Sequence, residues 1–164
     1  MPVVPNRVLC VCLGNICRSP TAEVIVRTHA ERNGLAIEVD SAGTNNYHPN
    51  AAPDPRSQHH AALSGYDLSK LRARQVVDRD FTDFDLILAM DHANLADLHQ
   101  WLRRIAGHIP QGQPIARLAL MSEHDQAYPL QSVPDPYYGH AADFERVIHQ
   151  LESSTSAWIK QWKL

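Results

Sequence analysis

The sequence lacks an excess of positive charge, a set of cysteines for disulfides and any long apolar run. Its 15 lysines and arginines face 18 aspartates and glutamates, which leaves too little positive charge to neutralise a nucleic-acid backbone or an anionic membrane. The three cysteines lie within eight consecutive residues, too close together for a disulfide framework. No apolar stretch approaches the roughly 20 residues of a bilayer span. These absences predict a chain of the reducing cytoplasm, with neither nucleic acid nor a membrane as partner.

The composition that is present is that of an ordinary folded protein. Hydrophobic residues make up 44% of the 164 residues and charged residues 20%, so that enough apolar surface is available to offset the chain entropy of folding. A chain of this length can bury one layered core without disulfide or metal staples. We therefore expect residues 1–164 to form a single domain.

Strand-like and helix-like segments alternate along the chain. The apolar runs at residues 7–12 and 84–90 show no polar alternation, which is typical of strands buried on both faces of a parallel sheet. Further strands are predicted at residues 36–41 and 115–120, and helices from Ser19 as N-cap to 33, from 54 to 64, after Asp91, and from 142 to 162. This alternation predicts a three-layer α/β/α fold, an open and mostly parallel four-stranded sheet with helices on both faces and its ligand site at the carboxyl ends of the strands.

The most informative stretch joins the first strand to the first helix. It reads Cys12-Leu13-Gly14-Asn15-Ile16-Cys17-Arg18-Ser19, with five residues between the first cysteine and the arginine. A loop this short at a helix N-terminus directs successive backbone N–H groups into one concavity, which binds a tetrahedral oxyanion. Gly14 and Asn15 tolerate the positive φ that a ring-shaped loop requires, and the fork of Arg18 can take two phosphate oxygens. The sequence therefore predicts a phosphate cradle with a thiol at its floor.

A thiolate in such a cradle is a nucleophile for phosphorus. The N–H dipoles, Arg18 and the Ser19 hydroxyl would stabilise the Cys12 thiolate, which displaces an alcohol or phenol and leaves a cysteinyl-phosphate for water to hydrolyse. The leaving oxygen needs a proton, and Asp135, held between two prolines, is the candidate acid. Tyr137 and Tyr138 follow it and can wall a cleft for an aromatic leaving group. This chemistry predicts neither a metal nor a cofactor.

On these residues the sequence resembles the low-molecular-weight protein-tyrosine phosphatases. Residues 11–20 are similar to their phosphate loop and residues 135–139 to their acid loop, with further similar stretches at 40–43, 53–56, 73–75 and 84–91. The resemblance implies Cys12 as nucleophile, Arg18 as phosphate binder and Asp135 as general acid. It also implies a hydrogen-bonded network of Asn15, Ser19 and Ser41 that supports the loop. In addition, it implies that Cys17 can form a reversible disulfide that protects Cys12.

The chain departs from the family pattern in places that affect specificity. Leu71 stands where some members have a histidine, and residues 45–52 lack the glycine that many members have there. Tyr47 falls where the family places a large residue at the cleft wall. Ile16 replaces the threonine of arginine-phosphate phosphatases of this fold, which favours phosphotyrosine. The likeness is closest to bacterial members that act on autophosphorylating tyrosine kinases of polysaccharide export, and such a kinase is the expected partner of a monomer or weak dimer.

Several alternative interpretations remain open on the sequence alone. The cysteines could bind zinc, although no Cys-x-x-Cys pair supplies a full set of ligands. A protein-arginine phosphatase could use the same fold, and so could an arsenate reductase, although the latter needs cysteines downstream of Cys17 and none follows. A silent phosphopeptide-binding module would need neither nucleophile nor acid. Asp91 is interpreted as a helix cap or as the residue that orients Arg18, and Asp54 and Arg56 as a cap and its surface partner.

Overall fold

The computed structural model describes residues 3–164 as alternating strands and helices. In chain order these are β1 (Arg7–Cys12), α1 (Arg18–Arg32), β2 (Glu38–Gly43), α2 (Pro55–Leu63), α3 (Asp80–Asp83), β3 (Leu86–Ala89), α4 (His92–Ile105), β4 (Arg117–Leu120) and α5 (Ala141–Trp162). A single 3₁₀ turn at Ala106–His108 follows α4.

The four strands form one parallel sheet in the order β2-β1-β3-β4. Strand β1 lies inside the sheet, where Cys10 pairs with Ser41 of β2 on one side and with Leu88 of β3 on the other. The chain therefore leaves β1 in one direction to form β2 and later returns on its other side to form β3. In sheets of this kind the crevice for a ligand opens at the carboxyl ends of the strands where the order reverses. The predicted α/β fold is confirmed, and Cys12 ends the strand at this point.

Each face of the sheet carries its own apolar core. Val8 and Cys10 point to a core built with α1 and α5, whereas Leu9 and Val11 point to a second core built with α4. All four side chains are fully buried. Burial on both faces explains why β1 shows no polar alternation, and each large apolar side chain taken fully from water contributes about 1.5–3 kcal/mol.

Helix α5 covers one edge of the first core. Its apolar stripe includes Leu151 and Trp158, and the Trp158 indole N–H donates to the Met121 carbonyl at 2.7 Å. On the same helix Ser154 donates to the carboxylate of buried Asp125 at 2.6 Å. This helix is long but amphipathic, and within residues 3–164 no helix is both long and apolar enough to cross a membrane.

The structure corrects several local predictions. Ser19 is not the N-cap of α1, since the helix begins at Arg18 after Cys17 and the Ser19 hydroxyl points inward to the Cys12 sulfur at 3.0 Å. Strand β2 lies two residues later than predicted because it pairs with β1 as far as Gly43. Helix α3 was not predicted, since four residues are too short to show a helical period.

Candidate active site

The loop between β1 and α1 is held by the segment that follows β2. Thr44 N–H donates to the Cys12 carbonyl at 2.9 Å and Asn45 N–H donates to the Leu13 carbonyl at 3.0 Å. The two backbones approach closely at Gly43, where an added Cβ would lie 2.6 Å from the Leu13 oxygen. Any side chain at Gly43 would therefore displace the loop, which explains the glycine at the end of β2.

Asn15 fixes the shape of the loop through its backbone conformation and the hydrogen bonds of its buried side chain. It adopts a left-handed backbone conformation with φ of 57°, which asparagine tolerates better than most residues. Its buried amide donates to Ser19 Oγ at 2.8 Å and to Ser41 Oγ at 3.0 Å, and its oxygen accepts from Arg74 N–H at 3.0 Å. These contacts bring together the three residues that the resemblance assigned to a supporting network.

The donation from Asn15 also affects the Ser19 hydroxyl. Because the Ser19 oxygen accepts from the amide, its own proton can be directed to the Cys12 sulfur at 3.0 Å or to the Ala42 carbonyl at 3.4 Å. The Asn15 backbone N–H donates to the same sulfur at 3.3 Å. The Ser19 hydroxyl and the Asn15 N–H therefore both lie within hydrogen-bond distance of Cys12 Sγ.

The other two cysteines lie in different surroundings. Cys10 is enclosed in β1, and burial raises the pKa of its thiol well above the usual range. Cys17 lies in the loop, where burial, assisted by the charge of Asp54, raises the pKa of its thiol to about 12 in spite of a hydrogen bond from Ser57. Cys17 therefore stays mainly protonated near neutral pH.

The Arg18 guanidinium is buried but held in place by anionic partners. Its side chain is only 4% exposed, and Nη1 donates to Asp91 Oδ2 at 2.6 Å and to the Val133 carbonyl at 3.1 Å. Burial opposes its charge, but Cys12, Asp91 and Asp135 outweigh this effect and raise the pKa of Arg18. Asp91 Oδ1 also accepts from Asn94 N–H at 2.7 Å, so that both interpretations of Asp91 apply: it caps α4 and orients Arg18.

Asp135 approaches the same arginine from the opposite loop. Its Oδ2 lies 3.6 Å from Arg18 Nη2, and its Oδ1 accepts from Tyr137 N–H at 3.1 Å. The carboxyl remains 46% exposed. The thiol, the guanidinium and this carboxyl thus converge from three parts of the chain.

A cleft of about 300 Å³ opens above the thiol. Most of the residues predicted to form the site line it: Cys12, Leu13, Gly14, Ile16, Cys17, Arg18, Tyr47, Asp135, Tyr137 and Tyr138. Asn15, Ser19 and Ser41 lie behind its floor rather than in its wall. The rings of Tyr137 and Tyr138 meet edge to face at 4.8 Å, and Tyr47 is 66% exposed at the rim. An anion-binding floor beneath aromatic walls suits an aryl phosphate.

Two residues of the site were missed at the level of sequence. His48 lines the cleft, with its ring 6.5 Å from that of Tyr47 and 6.4 Å from that of Tyr137. Glu23 is buried beneath the floor, where it accepts from Ser41 Oγ at 2.8 Å and pairs with Arg27. Burial raises the pKa of Glu23 despite these bonds. Of the two, only Glu23 could have been found from the sequence, because it follows Ser19 by one helical turn and therefore lies on the same face of the predicted helix.

The departures from the family pattern have simple structural outcomes. Leu71 is partly buried and packs against the first core, which gives this position an apolar role. In the loop at residues 45–52, Asn50 adopts the left-handed conformation with φ of 60°. Asparagine therefore supplies the backbone geometry there without a glycine.

The fold and this site together define a phosphoric monoester hydrolase of the α/β class. The family model described as low molecular weight phosphotyrosine protein phosphatase matches residues 7–163. The low molecular weight protein-tyrosine-phosphatase of Streptomyces coelicolor is 38% identical over 157 residues, covering 93% of this chain and 91% of the relative. The chain belongs to the low molecular weight protein-tyrosine-phosphatase family.

Solved structures agree with this assignment. A protein tyrosine phosphatase from Entamoeba histolytica, with Hepes in its active site, superposes with a TM-score of 0.84 at 34% identity and covers 96% of both chains. A Drosophila arginine phosphatase superposes with a TM-score of 0.86 at 27% identity, covering 96% of this chain and 98% of its own. The family acts on phosphoproteins.

Proposed function

We propose that this phosphatase hydrolyses phosphotyrosine and other aryl phosphates through a cysteinyl-phosphate on Cys12. The observation that supports this most is the meeting of three groups in one cleft: Cys12 Sγ among its donors, the buried fork of Arg18, and Asp135 within 3.6 Å of that fork. The reaction needs a nucleophile, a cradle for the phosphoryl oxygens and a source of protons, and Cys12, Arg18 and Asp135 supply them in that order.

In the first step the Cys12 thiolate attacks phosphorus in line with the leaving oxygen. The S–P bond forms as the P–O bond breaks, and protonated Asp135 gives its proton to the departing phenol oxygen. The backbone N–H groups of the loop and the fork of Arg18 stabilise the three equatorial oxygens. Asp91 keeps this fork in place, so little reorganisation is needed as charge develops.

In the second step water hydrolyses the cysteinyl-phosphate. The Asp135 carboxylate takes a proton from the attacking water, the new P–O bond forms, and the S–P bond breaks to return the thiolate. The Ser19 hydroxyl and the Asn15 N–H, which both face the sulfur, stabilise it as a leaving group. Inorganic phosphate then departs and Asp135 is again protonated.

Phosphoarginine is the second candidate substrate, because the Drosophila arginine phosphatase shares this fold over nearly its whole length. Ile16, which replaces the threonine of arginine-phosphate phosphatases of this fold, favours phosphotyrosine over it, and the aromatic walls offer apolar contact to a phenol ring. An arsenate reductase that relays a disulfide lacks support, because no cysteine follows Cys17.

The substrate panel that tests this proposal contains phosphotyrosine, phosphoserine, phosphoarginine and an aryl phosphate. With a chelator present, the wild type is expected to turn over phosphotyrosine and the aryl phosphate at least about 100-fold faster than the other two, since the apolar walls and the in-line acid suit a phenol. If phosphoarginine were turned over faster than phosphotyrosine, phosphoarginine would be the substrate class instead. No turnover by reduced, folded protein would favour a binding module.

We propose that residues 1–164 act as one domain in the cytoplasm, as a monomer or weak dimer, on a phosphotyrosine protein such as an autophosphorylating kinase. The match of the family model from residue 7 to 163 supports the single domain.

We also propose that peroxide oxidises Cys12 to a sulfenic acid, from which the Cys17 thiol displaces water to form a reversible disulfide. The lining of one cleft by both cysteines supports this protection.

A further inference from the structure

Arg56 lies between the loop that carries the thiol and the loop that carries the acid. We propose that Arg56 is a positioning residue, which ties the acid loop to the phosphate loop and so holds Asp135 over the leaving oxygen. The proposal rests on the function proposed above, because it assumes that Asp135 is the general acid. It gives a role in the reaction to a side chain that the sequence presented as the surface partner of a helix cap.

One end of the tether is fixed to the phosphate loop through Asp54. The Asp54 backbone N–H donates to the Ile16 carbonyl at 2.8 Å, and the residue is only 8% exposed. Its carboxylate caps α2 by accepting from Arg56 N–H at 2.8 Å. It also binds both sides of the guanidinium, with Nε to Oδ1 at 3.0 Å and Nη2 to Oδ2 at 2.8 Å. These contacts with Arg56 lower the pKa of Asp54, so the pair remains charged near neutral pH.

The other end of the tether reaches the acid loop. Arg56 Nη2 also donates to the Tyr137 carbonyl at 2.9 Å. The guanidinium carbon lies 5.6 Å from the centre of the Tyr137 ring and 4.7 Å from that of Phe144, so both rings can make cation–π contacts with it. Tyr137 in turn donates its backbone N–H to Asp135 Oδ1. A continuous chain of contacts therefore runs from Ile16 through Asp54, Arg56 and Tyr137 to Asp135.

The acid loop needs a tether at this point. Its beginning is fixed where Val133 N–H donates to the Met90 carbonyl at 2.7 Å. Asp135 itself is half-exposed, and its distance of 3.6 Å from Arg18 is too long for a strong hydrogen bond. Without a second anchor the carboxyl could move by an ångström or more. A shift of that size costs on the order of 100-fold in rate when the group must meet a reacting atom.

The geometry requires arginine rather than a general positive charge. Arg56 binds two carboxylate oxygens and one carbonyl at once while its guanidinium carbon lies over the rings of Tyr137 and Phe144. A lysine ammonium is a point charge and cannot make the two parallel bonds or the stacking contact. Arg56→Lys is therefore expected to keep the charge opposite Asp54 but lose most of the positioning.

The test compares kcat/KM across aryl phosphates whose phenols range from good to poor leaving groups. Arg56→Gln is expected to lose about 10- to 100-fold with the poorest leaving group and less than about 3-fold with the best, because only poor leaving groups need the acid. Arg56→Lys is expected to show the same trend at smaller amplitude. Arg117→Gln is the matched control, since Arg117 also pairs with a carboxylate, Glu123, and lies over an aromatic ring, Trp158, away from the cleft. It should leave the whole series unchanged.

Combination with Asp135→Asn separates positioning from a merely structural role. If Arg56 acts through Asp135, then Arg56→Gln should cost little more in the Asp135→Asn background, and the double variant should match Asp135→Asn alone. An equal loss for all leaving groups, or losses that multiply in the double variant, would overturn the proposal. If Arg56→Gln does not fold, Arg56→Lys decides by the same criteria.

The same series distinguishes failure of this inference from failure of the proposed function. If the loss of kcat/KM in Asp135→Asn did not depend on the leaving group, Asp135 would not be the general acid. The positioning role of Arg56, which acts through Asp135, would then be excluded as well. A strong dependence for Asp135→Asn together with a flat series for Arg56→Gln and Arg56→Lys would leave the acid role intact and overturn the inference about Arg56 alone.

Discussion

Cys12→Ser is expected to abolish turnover of phosphotyrosine and aryl phosphates while the protein still binds phosphate. A serine hydroxyl at the floor of the cradle is not ionised near neutral pH and has no base in contact to activate it, so no phosphoryl-enzyme forms. The loss of kcat is expected to be on the order of 10⁵- to 10⁶-fold, as for removal of a nucleophile in other covalent enzymes. The loop N–H groups and Arg18 remain, so competitive inhibition or calorimetry should still detect bound phosphate.

The matched control for this prediction is Cys10→Ala. Cys10 lies on the same strand but is fully buried and faces the core, so this variant is expected to keep turnover as long as it folds. Residual turnover by Cys12→Ser within about 10-fold of the wild type would show that another group attacks phosphorus, since removing a nucleophile costs far more.

Asp135→Asn is expected to slow hydrolysis most for the poorest leaving groups. The amide cannot give a proton to the departing oxygen, and general acid catalysis contributes about 10²- to 10⁴-fold. A nitrophenolate leaves without a proton, so its displacement should fall much less than that of a phenol or of tyrosine. The measurement is kcat/KM, which reports the first irreversible step, over a series of aryl phosphates.

The control for this series is Asp97→Asn, which removes one carboxylate from an exposed position on α4. It corrects for the change in net charge and should leave the series unaltered. Equal slowing of good and poor leaving groups by Asp135→Asn would assign the carboxyl to binding rather than to proton transfer.

The parts of the fold that could be predicted from sequence are those with a local cause. The apolar runs of β1 and β3 are buried on both faces, and this burial alone removes their polar alternation. The loop from Cys12 to Arg18 was recognisable because its function depends on spacing within a few residues. Asp135 was recognisable because two prolines and two tyrosines flank it.

The contacts that escaped prediction join residues far apart in the chain. At shorter range, Ser19 was predicted both as a helix cap and as a partner of Cys12, and only the contact with Cys12 is present because the helix begins at Arg18, one residue before Ser19. Arg56 contacts Tyr137, 81 positions away, and no periodicity can reveal such a pairing. His48 owes its place in the cleft to the path of an irregular loop, for which sequence carries little information.

Trapping the phosphoryl-enzyme tests the central claim most directly. Asp135→Asn is mixed with an aryl phosphate that has a good leaving group, so that the first step remains fast while hydrolysis of the intermediate loses its base. The reaction is stopped within one turnover by alkaline denaturation, and the peptides are analysed by mass spectrometry. The account predicts one phosphoryl group bound to the sulfur of Cys12. A phosphoryl group on another residue, or turnover with Cys12 unmodified at every time point, would contradict it.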